Sequence, residues 1–431
     1  MASRVDRCST CFSSEGESLV KLLLSLYACR PNEGSEPGVG WAWALGMAKR
    51  HETMVVTRTF SRSKIEAELE RLGLPESERP KFLFVEGPKW ALHLRDKNKM
   101  PTHLYYVFWL FAARRSYDHC GWKADVIHHV TFNSFQIPGV WWNRREKVVL
   151  GPLGGMAACP IRFLRCFSFV DRIKELMRIS MRVLWRLNPF FLAARRSADC
   201  LLFTESSVAQ RIGGPAALLE SVFETAVSDE LLRGPVPPFP RNRFRFLWAS
   251  RLEGRKACEI AIRAYARAVE VDPRVPPFEI VGTGPYLHRI ERLVRRLGVA
   301  DRVSLVGPLP QVELWRRAVE AIAFVFTSVR DTSGNVVLEA MALGTPVICF
   351  DHQGVAALTD DSCAIRIKPK NWNQSIKNFA DAMLQLACDP TLVERMGLAG
   401  RKRALERFTW KEKFDLADSV YEKVLANQGR T

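Results

Sequence analysis

Short apolar runs alternate with longer amphipathic segments along most of the chain, and this alternation constrains the fold most. Short apolar runs bounded by turns suit strands buried on both faces, and the segments between them have helical spacing. Strands that alternate with helices form parallel sheets covered by helices on both faces. The sequence therefore predicts an α/β fold. The predicted strands are Leu19–Tyr27, Met54–Thr57, Lys81–Val85, Asp125–His129, Val148–Leu150, Phe244–Ser250, Phe278–Val281, Val303–Val306, Ala323–Thr327 and Pro346–Phe350.

A proline cluster, Pro235-Val-Pro-Pro-Phe-Pro240, interrupts the alternation, which restarts directly after it. A chain of 431 residues is long for a single core, so we predict two α/β domains. They cover residues 18–236 and 241–408; a terminal helix occupies 409–431, and the Ser-rich residues 1–17 are predicted to be disordered. The predicted helices are Trp41–Arg50, Ser63–Leu72, Cys258–Val271, Tyr286–Leu297, Val312–Val319, Asn335–Leu343 and Lys411–Ala426.

The chain carries 63 Lys and Arg against 46 Asp and Glu, a formal net charge of +17. Such an excess favours anionic partners: nucleic acid, phosphorylated small molecules or an acidic membrane. No nucleic-acid-binding signature accompanies the charge, so nucleic acid is not expected. The 11 cysteines are odd in number and scattered, which predicts free thiols and a cytoplasmic protein. The CxxC pair Cys8–Cys11 has no second pair, so we expect no metal site.

The first predicted strand is followed by three closely spaced glycines, Gly34, Gly38 and Gly40, and then by a helix. A glycine-rich turn before a helix can bring backbone N–H groups to an anion. The spacing differs from the dinucleotide-binding GxGxxG pattern. The glycines could equally serve only to turn a tight loop.

The second predicted domain opens with a strand followed by Ser250-Arg-Leu-Glu-Gly-Arg-Lys256. Ligands of α/β sheets bind at the carboxyl ends of the strands, where Arg251 and Lys256 could clamp a diphosphate. The alternative is a solvated basic loop.

A further candidate site lies between the strand ending near Thr327 and the helix starting near Asn335. Backbone N–H groups at a helix start can hold a phosphate, while Asp331 and Glu339 could bind sugar hydroxyls. Alternatively, Asp331 is a helix cap and Glu339 forms a buried salt bridge.

The adjacent histidines His128 and His129 lie at the end of another predicted strand. A histidine there could donate a hydrogen bond or act as a general acid or base. Adjacent strand residues point to opposite faces, so at most one of the pair can face a cleft. The alternative is a histidine satisfied within the core.

Six motifs, in this order and at these separations, resemble glycosyltransferase family 4, the retaining nucleotide-sugar enzymes with the GT-B fold. The resemblance runs from about Lys21 to Val424. The motifs are Ala28-Cys-Arg-Pro-Asn-Glu-Gly-Ser-Glu-Pro-Gly-Val-Gly-Trp41, Asp125-Val-Ile-His-His-Val-Thr131, Gly151-Pro-Leu-Gly-Gly155, Ala249-Ser-Arg-Leu-Glu-Gly-Arg-Lys256, Val281-Gly-Thr-Gly-Pro285 and Gly334-Asn-Val-Val-Leu-Glu-Ala-Met-Ala-Leu-Gly-Thr-Pro-Val347.

The resemblance implies two Rossmann-like domains facing across a cleft, with the acceptor on the N-terminal domain and the nucleotide sugar on the C-terminal domain. The terminal helix is expected to cross back onto the N-terminal domain. The resemblance implies catalytic roles for His129 (or His128), Asp331 and Glu339. The donor-binding residues that it implies are Gly38, Arg251, Lys256, Gly282, Gly284, Ser333, Gly334, Asn335, Val336 and Glu339.

The implied reaction is transfer of a sugar from a nucleoside diphosphate to a glycan or lipid-linked acceptor, as in polysaccharide biosynthesis. Basic side chains and a helix start would stabilise the leaving diphosphate without a cofactor or divalent metal. Two departures from the family pattern stand out. Asp331 replaces the first acid of the Glu-x7-Glu motif, and the stretch Asp351-His-Gln-Gly-Val-Ala-Ala357 lacks the usual Gly-Gly and acid. These departures keep a catalytically silent GT-B scaffold protein as an alternative. An epimerase-like GT-B enzyme is a second alternative within the same fold.

Residues 161–196 combine nine Lys or Arg with interleaved aromatic and aliphatic residues. A basic amphipathic helix of this kind can lie on an anionic membrane surface, which would make the protein peripheral at the inner face of a membrane. The alternative is a long helix with one buried face and one solvated face.

Overall fold

The computed structural model describes residues 19–33, 35–132, 134–155, 157–204, 218–221, 225–228, 231 and 243–427. Three sequence predictions fall outside these residues. They are the disordered segment 1–17 with its Cys8–Cys11 pair, the glycine at position 34 and the proline-rich linker 235–240.

The N-terminal part of the chain forms a seven-stranded parallel sheet in the order β3-β2-β1-β4-β5-β6-β7. The central strand β1, KLLLSL, is buried from its second residue onward, as expected for a strand covered on both faces. The strands are β1 (Lys21–Leu26), β2 (Glu52–Arg58), β3 (Lys81–Val85), β4 (Val126–Thr131), β5 (Lys147–Leu153), β6 (Cys200–Phe203) and β7 (Leu218–Ser221).

The C-terminal part forms a second parallel sheet, of six strands in the order β10-β9-β8-β11-β12-β13. The two sheets confirm the predicted α/β fold. In both sheets the order reverses beside the first strand, which creates a crevice at the carboxyl ends of the central strands. The strands are β8 (Arg245–Ala249), β9 (Phe278–Val281), β10 (Val303–Gly307), β11 (Ala321–Phe326), β12 (Val347–Phe350) and β13 (Ala364–Ile367).

Helices cover both sheets, and their bounds follow the amphipathic segments of the sequence. They are α1 (Ser35–Ala48), α2 (Arg62–Leu72), α3 (Lys89–Asp96), α4 (Thr102–His119), α5 (Phe169–Val183), α6 (Pro189–Ser197), α7 (Cys258–Val271), α8 (Leu287–Arg296), α9 (Gln311–Val319), α10 (Asn335–Ala342), α11 (Gln353–Leu358), α12 (Trp372–Cys388), α13 (Pro390–Arg407) and α14 (Trp410–Ala426). No helix of the described ranges is long and apolar enough to cross a membrane.

Helix α14 packs on the N-terminal sheet although it follows the whole C-terminal sheet in sequence. The Thr409 hydroxyl caps its start by accepting a hydrogen bond from the Glu412 N–H at 3.2 Å. Phe414, Val420 and Tyr421 are buried in the core cluster that contains β1. The last helix therefore completes the first core.

A short segment makes the reverse exchange. The 3₁₀ turn Ile161–Cys166 follows β5 in sequence, but Phe163 and Phe167 are buried in the core cluster of the C-terminal sheet. The Phe163 ring lies 5.4 Å from that of Phe350, at the end of β12. Each core thus contains residues from the opposite half of the chain.

Two local expectations were wrong. The predicted glycine loop is helical from Ser35 onward, so Gly38 and Gly40 lie in the first turns of α1. A Cβ on Gly38 would overlap with the carbonyl oxygen of Glu33, and one on Gly40 with that of Ala28. Glycine at these positions lets α1 pack against the chain that leaves β1.

Residues 161–196 do not form one long helix. They form the turn at 161–166, then α5, a 3₁₀ turn at Leu184–Leu187, and α6. The chain breaks because Pro189 starts α6, where the Asn188 side chain accepts hydrogen bonds from the first free backbone N–H groups. The turn at 161–166 faces the C-terminal core, which leaves α5 and the turn at Leu184–Leu187 as the more exposed part.

Candidate functional site

Four loops of the C-terminal domain meet at one edge of its sheet. They follow β8, β9, β11 and β12, which are neighbours in the order β9-β8-β11-β12. Because all four strands are parallel, their carboxyl ends lie at the same edge. Most of the residues that the sequence singled out in this domain lie in these loops.

Lys256 and Asp331 form the central ion pair of this edge. The Lys256 amine donates a hydrogen bond to the Asp331 carboxylate, and both side chains are nearly buried, at 12% and 11% exposed. Burial raises the pKa of the Asp331 carboxyl, but the charge and hydrogen bond of Lys256, together with Arg255 and the Gly334 N–H, outweigh burial, so that pKa lies below its ordinary value. The Lys256 ammonium and the Asp331 carboxylate neutralise each other, so a charged ligand that enters the site can replace one of them as the partner of the other.

The loop that carries Lys256 is fixed by the loop that carries Asp331. The 3₁₀ turn Gly254–Lys256 ends at Ala257 in a left-handed conformation, with φ of 47°. The carbonyl oxygen of Arg255 accepts bonds from the Val329 N–H at 2.9 Å and the Ser328 hydroxyl at 3.1 Å. The cation is therefore held by a rigid frame.

Helix α10 starts at this edge with an open N-terminus. Gly334 caps it in the left-handed conformation, with φ of 57°, and Asn335 and Val336 form its first turn. Burial lowers the pKa of the neighbouring His352 ring. Within the part of the chain that the structure describes, Asn335 Oδ1 and His352 Nε2 are buried without a hydrogen-bond partner. The backbone N–H groups of a helix start suit an anionic ligand, whereas the amide oxygen of Asn335 is an acceptor and suits a ligand hydroxyl.

Gly282 and Gly284 allow two loops of the site to approach each other. A Cβ on Gly282 would overlap with the carbonyl oxygen of Ser250, and one on Gly284 with that of Leu252. Gly282 also has φ of 130°, which a residue with a side chain rarely adopts. Both glycines thereby determine where the Arg251 loop lies. Ser333, on the other side of the site, is half-buried beside Gly334.

Glu339 lies one turn further along α10 and is held by the neighbouring helix α9. Its carboxylate accepts hydrogen bonds from Trp315 Nε1 at 3.0 Å and Gln311 Nε2 at 3.1 Å. Burial raises the pKa of Glu339 above its ordinary value, and the two donors offset part of that rise. The predicted alternative of a buried salt bridge is absent among the described residues, because both partners of this carboxylate are neutral.

Three basic residues follow β8, and they differ in how they are held. Arg251 is 70% exposed, with its Nε 4.0 Å from Glu253. Arg255 is 32% exposed and pairs with Glu253 at 2.7 Å. Arg255 also lies 3.8 Å from the Asp331 carboxylate. Arg251 is therefore the most exposed of the three cations, and Lys256 the most buried.

The two histidines of β4 lie apart from these loops and are fully buried. His128 Nε2 donates to the Gly151 carbonyl at 2.9 Å, so its Nδ1 accepts from the Tyr421 hydroxyl at 2.6 Å. His129 lies 2.6 Å from the Tyr106 hydroxyl and 2.8 Å from the Ser25 hydroxyl. They point to opposite faces as predicted, but both faces are covered and neither ring is exposed.

Burial keeps both histidines neutral. It lowers the pKa of His128 to about 4 and that of His129 to about 3.

Gly38 also lies on the N-terminal domain, where Glu36 of the same helix accepts a hydrogen bond from the Phe132 N–H.

Gln353, Arg330 and Glu175 belong to the site region, and sequence reasoning did not single them out. Gln353 contacts the Asp331 backbone, and Arg330 lies 3.3 Å from Glu175 of α5. The departure of residues 351–357 from the family pattern was the available signal for Gln353. A long-range ion pair such as Arg330–Glu175 leaves no local pattern.

Comparison with known proteins identifies the domain that carries these loops. Residues 235–403 match the sequence model of the family described as "Glycosyl transferases group 1". This part of the chain is similar to that family, and we call it the group 1 domain. The match confirms the resemblance carried by the motifs and contains all four loops of the site.

Curated relatives of the group 1 domain are named glycosyltransferases. The chain is 31% identical over 195 residues to "D-inositol 3-phosphate glycosyltransferase" of Streptomyces bingchenggensis, covering 43% of this chain and 41% of that protein. It is 30% identical over 253 residues to "GDP-mannose-dependent alpha-(1-6)-phosphatidylinositol monomannoside mannosyltransferase" of Mycolicibacterium smegmatis, covering 53% and 64%. The chain thus spans less than two thirds of the length of these relatives.

Solved structures extend the similarity to nearly the whole chain, at the level of the fold. Sucrose-phosphate synthase from Thermosynechococcus elongatus has a TM-score of 0.60 and 17% identity, covering 94% of this chain and 99% of that one. HepE from Anabaena, in complex with UDP, has a TM-score of 0.57 and 15% identity, covering 93% and 99%. The group 1 domain is therefore the C-terminal half of a GT-B fold, as the motifs predicted.

Proposed function

We propose that the protein is a retaining glycosyltransferase that moves a sugar from a nucleoside diphosphate to a glycan or lipid-linked acceptor. The observation that carries the proposal is the Lys256–Asp331 pair beside the open start of α10. This arrangement offers a fixed cation and free backbone N–H groups at the place where α/β sheets bind phosphorylated ligands. Relatives named glycosyltransferases and a UDP-bound structural neighbour support it.

In this proposal the diphosphate displaces Asp331 as the partner of Lys256, and Arg251 closes over it. As the bond to the sugar breaks, negative charge grows on the diphosphate, and the fixed cation and helix start stabilise it.

Three basic residues follow β8, so we propose that no divalent metal is required. Treatment with EDTA should leave turnover unchanged, and a loss restored by Mg²⁺ would contradict this part.

Glu339 is proposed to bind hydroxyls of the donor. Its carboxylate is held by neutral donors, so it keeps acceptor capacity for a ligand. His129 is buried, so we propose that it acts indirectly. Its hydrogen bonds hold the end of β4 in place in the domain that would bind the acceptor.

Nine described cysteines are free thiols, which supports the proposal that the reaction takes place in the cytoplasm.

Thermal shift with nucleotides tests the donor class. UDP, GDP, ADP and NAD should be added separately at millimolar concentration. A ligand at one hundred times its dissociation constant stabilises the folded state by about 2.7 kcal/mol, which raises the melting temperature measurably. We expect one nucleoside diphosphate to act alone, and its sugar conjugates then become the donors for a transfer assay. No shift with any nucleotide would contradict the proposal.

We also propose that α5 and the turn after it contact an anionic membrane surface, which would bring the enzyme to a lipid-linked acceptor. Several large apolar side chains here face solvent: Phe169 (74%), Met177 (62%) and Leu187 (75%) are examples. Basic residues of the same helix, Arg172 and Lys174, are also exposed. Exposed apolar and basic side chains on one helix suit the boundary between lipid headgroups and acyl chains.

Flotation with lipid vesicles tests this contact. The variant Met177→Asp with Leu187→Asp should bind vesicles containing phosphatidylglycerol at least about tenfold more weakly, because each apolar side chain contributes roughly 1.5–3 kcal/mol when buried. The control is Val271→Asp, at a residue that is 66% exposed at the end of α7, and it should bind like the wild type. Equal binding by both variants, or binding to uncharged vesicles alone, would contradict the proposal.

A further inference from the structure

One side chain bridges the two domains at the candidate site. Gln353, the first residue of α11, accepts a hydrogen bond through Oε1 from the Asp331 N–H at 2.8 Å. Its Nε2 donates to the carbonyl oxygen of Ala158 at 2.8 Å. Ala158 precedes the segment of the N-terminal half that packs into the C-terminal core. A single amide therefore contacts the site loop and the segment from the other half.

Gln353 holds this bridge from an unfavourable backbone conformation. Its φ is 57°, in the left-handed region that glycine adopts without strain. The next residue, Gly354, lies so close to the site loop that a Cβ would overlap with the carbonyl oxygen of Thr332. The loop after β12 is therefore pressed against the loop after β11. A strained residue whose two amide atoms are both bonded points to a role for its side chain.

A second contact between the two domains lies beside the Gln353 bridge. Arg330, adjacent to Asp331, lies 3.3 Å from Glu175 of α5, and Glu175 also accepts a hydrogen bond from the Cys159 N–H at 3.3 Å. Further from the site, the Tyr286 hydroxyl accepts from the Ser168 N–H at 2.6 Å and donates to Asp171 at 2.9 Å. The segment from 158 to 175 is thus attached to the C-terminal domain at several points. One of them, Arg330–Glu175, lies on the loop of Asp331, and Gln353 contacts that loop from the loop after β12.

We propose that Gln353 is a positioning residue that couples docking of residues 158–175 to the placement of Asp331. When the segment is docked, Gln353 is held by Ala158 and fixes the Asp331 backbone, so that the carboxylate meets Lys256. When the segment leaves, Gln353 loses its anchor and the loop is released. The consequence for donor binding rests on the proposed function, but the coupling itself does not.

Hydrogen–deuterium exchange of the ligand-free full chain tests the bridge. In Gln353→Met, which keeps the side-chain length and the backbone strain, amides of residues 328–333 should exchange about threefold to tenfold faster, as expected for one lost hydrogen bond. Gln353→Glu keeps an acceptor for the Asp331 N–H and should recover part of the protection. Gln374→Met is the matched control, because Gln374 is exposed on α12. Unchanged exchange in Gln353→Met would overturn the proposal.

A double-mutant cycle tests the coupling. Tyr286→Phe removes the hydroxyl that holds Ser168 and Asp171, far along the segment, and leaves the ring in place. In the wild-type background it should accelerate exchange at 328–333, and in the Gln353→Met background it should add less, because the Arg330–Glu175 contact still links the segment to this loop. Additive effects would overturn the proposal. Neither measurement needs a nucleotide, so the coupling can hold even where the thermal shifts reject the proposed function.

Discussion

Two pairs of buried ionisable side chains, His128 with His129 and Lys256 with Asp331, lie in contrasting surroundings. The histidines of the N-terminal sheet lie inside β4, between two covered faces, and their hydrogen bonds go to the protein itself. Lys256 and Asp331 of the C-terminal sheet lie beyond the ends of β8 and β11, in loops that converge at one edge. The histidines are neutral and enclosed, whereas the pair is charged and lies next to an open helix start.

The difference shows that the position of an ionisable group, inside a strand or a few residues past its end, decides whether the group can keep its charge and reach a ligand. Within a strand of a sheet covered on both faces, desolvation favours the neutral form and the packing leaves no room for a ligand. Past the strand end, loops supply backbone donors and neighbouring charges, so a charge can be kept and shared with a ligand. Variants of each region should therefore fail in different ways.

The largest expected effect belongs to Lys256→Met. Loss of the ammonium leaves the Asp331 carboxylate nearly buried without its main partner, which should destabilise the fold by about 3–5 kcal/mol. The affinity for the nucleoside diphosphate should fall roughly 10- to 100-fold. Denaturant unfolding and calorimetric titration measure the two effects.

A second variant separates those two effects. Adding Asp331→Asn to Lys256→Met removes the uncompensated charge, so most of the stability should return while the affinity stays low. Recovery of the affinity as well would show that Lys256 serves only to neutralise Asp331.

The histidines should make the N-terminal domain sensitive to acid. The unfolded chain binds their protons below about pH 6.5, but the folded chain binds them only near pH 4 (His128) and pH 3 (His129). The free energy of unfolding should therefore fall as the pH drops from 6.5 towards 4, by about 1.4 kcal/mol per pH unit for each histidine. Urea unfolding at several pH values measures this slope.

The variant His128→Gln should reduce that slope by the share of one histidine. Glutamine can still accept a hydrogen bond from Tyr421, so the variant is expected to fold. A slope equal to that of the wild type would mean that other groups cause the acid sensitivity.

Arg251→Met should have a smaller effect than Lys256→Met and His128→Gln. Arg251 is 70% exposed, so the free energy of unfolding should change by less than about 0.5 kcal/mol. The affinity for the nucleoside diphosphate should fall about two- to fivefold, as for an exposed ion pair. The same calorimetric titration checks it, and a loss as large as that of Lys256→Met would show that Arg251 is fixed on the ligand.

The sequence predicted five of the six strands of the C-terminal sheet, because each of these five is a short apolar run between turns. Phe278–Val281 and Cys258–Val271 have the predicted bounds. The start of α1 was wrong because glycine is a poor helix former, and only the approach to Glu33 and Ala28 explains its presence there. The strands β6, β7 and β13 were missed, and a charged residue interrupts the apolar run in β7 (LLES) and in β13 (AIRI).

Contacts between residues far apart in sequence limit how much of the candidate site can be predicted from the sequence. Arg251, Lys256, Asp331 and Glu339 could be singled out because residue type and position after a strand carry information. Nothing local in Ile161–Cys166 shows that it packs into the other core, or that Gln353 meets Ala158 195 positions earlier. These contacts depend on how the two halves of the chain fit together.

The exchange of segments between the cores has a consequence for how the protein is made. Helix α14 leaves the ribosome after both sheets, and it supplies Tyr421, whose hydroxyl is bonded to His128 in the first sheet. The N-terminal domain, although synthesised before the C-terminal one, cannot complete its core until α14 has been synthesised. Severing the chain between the two sheets should therefore yield two incomplete pieces, and co-expressed halves should be recovered only as a complex.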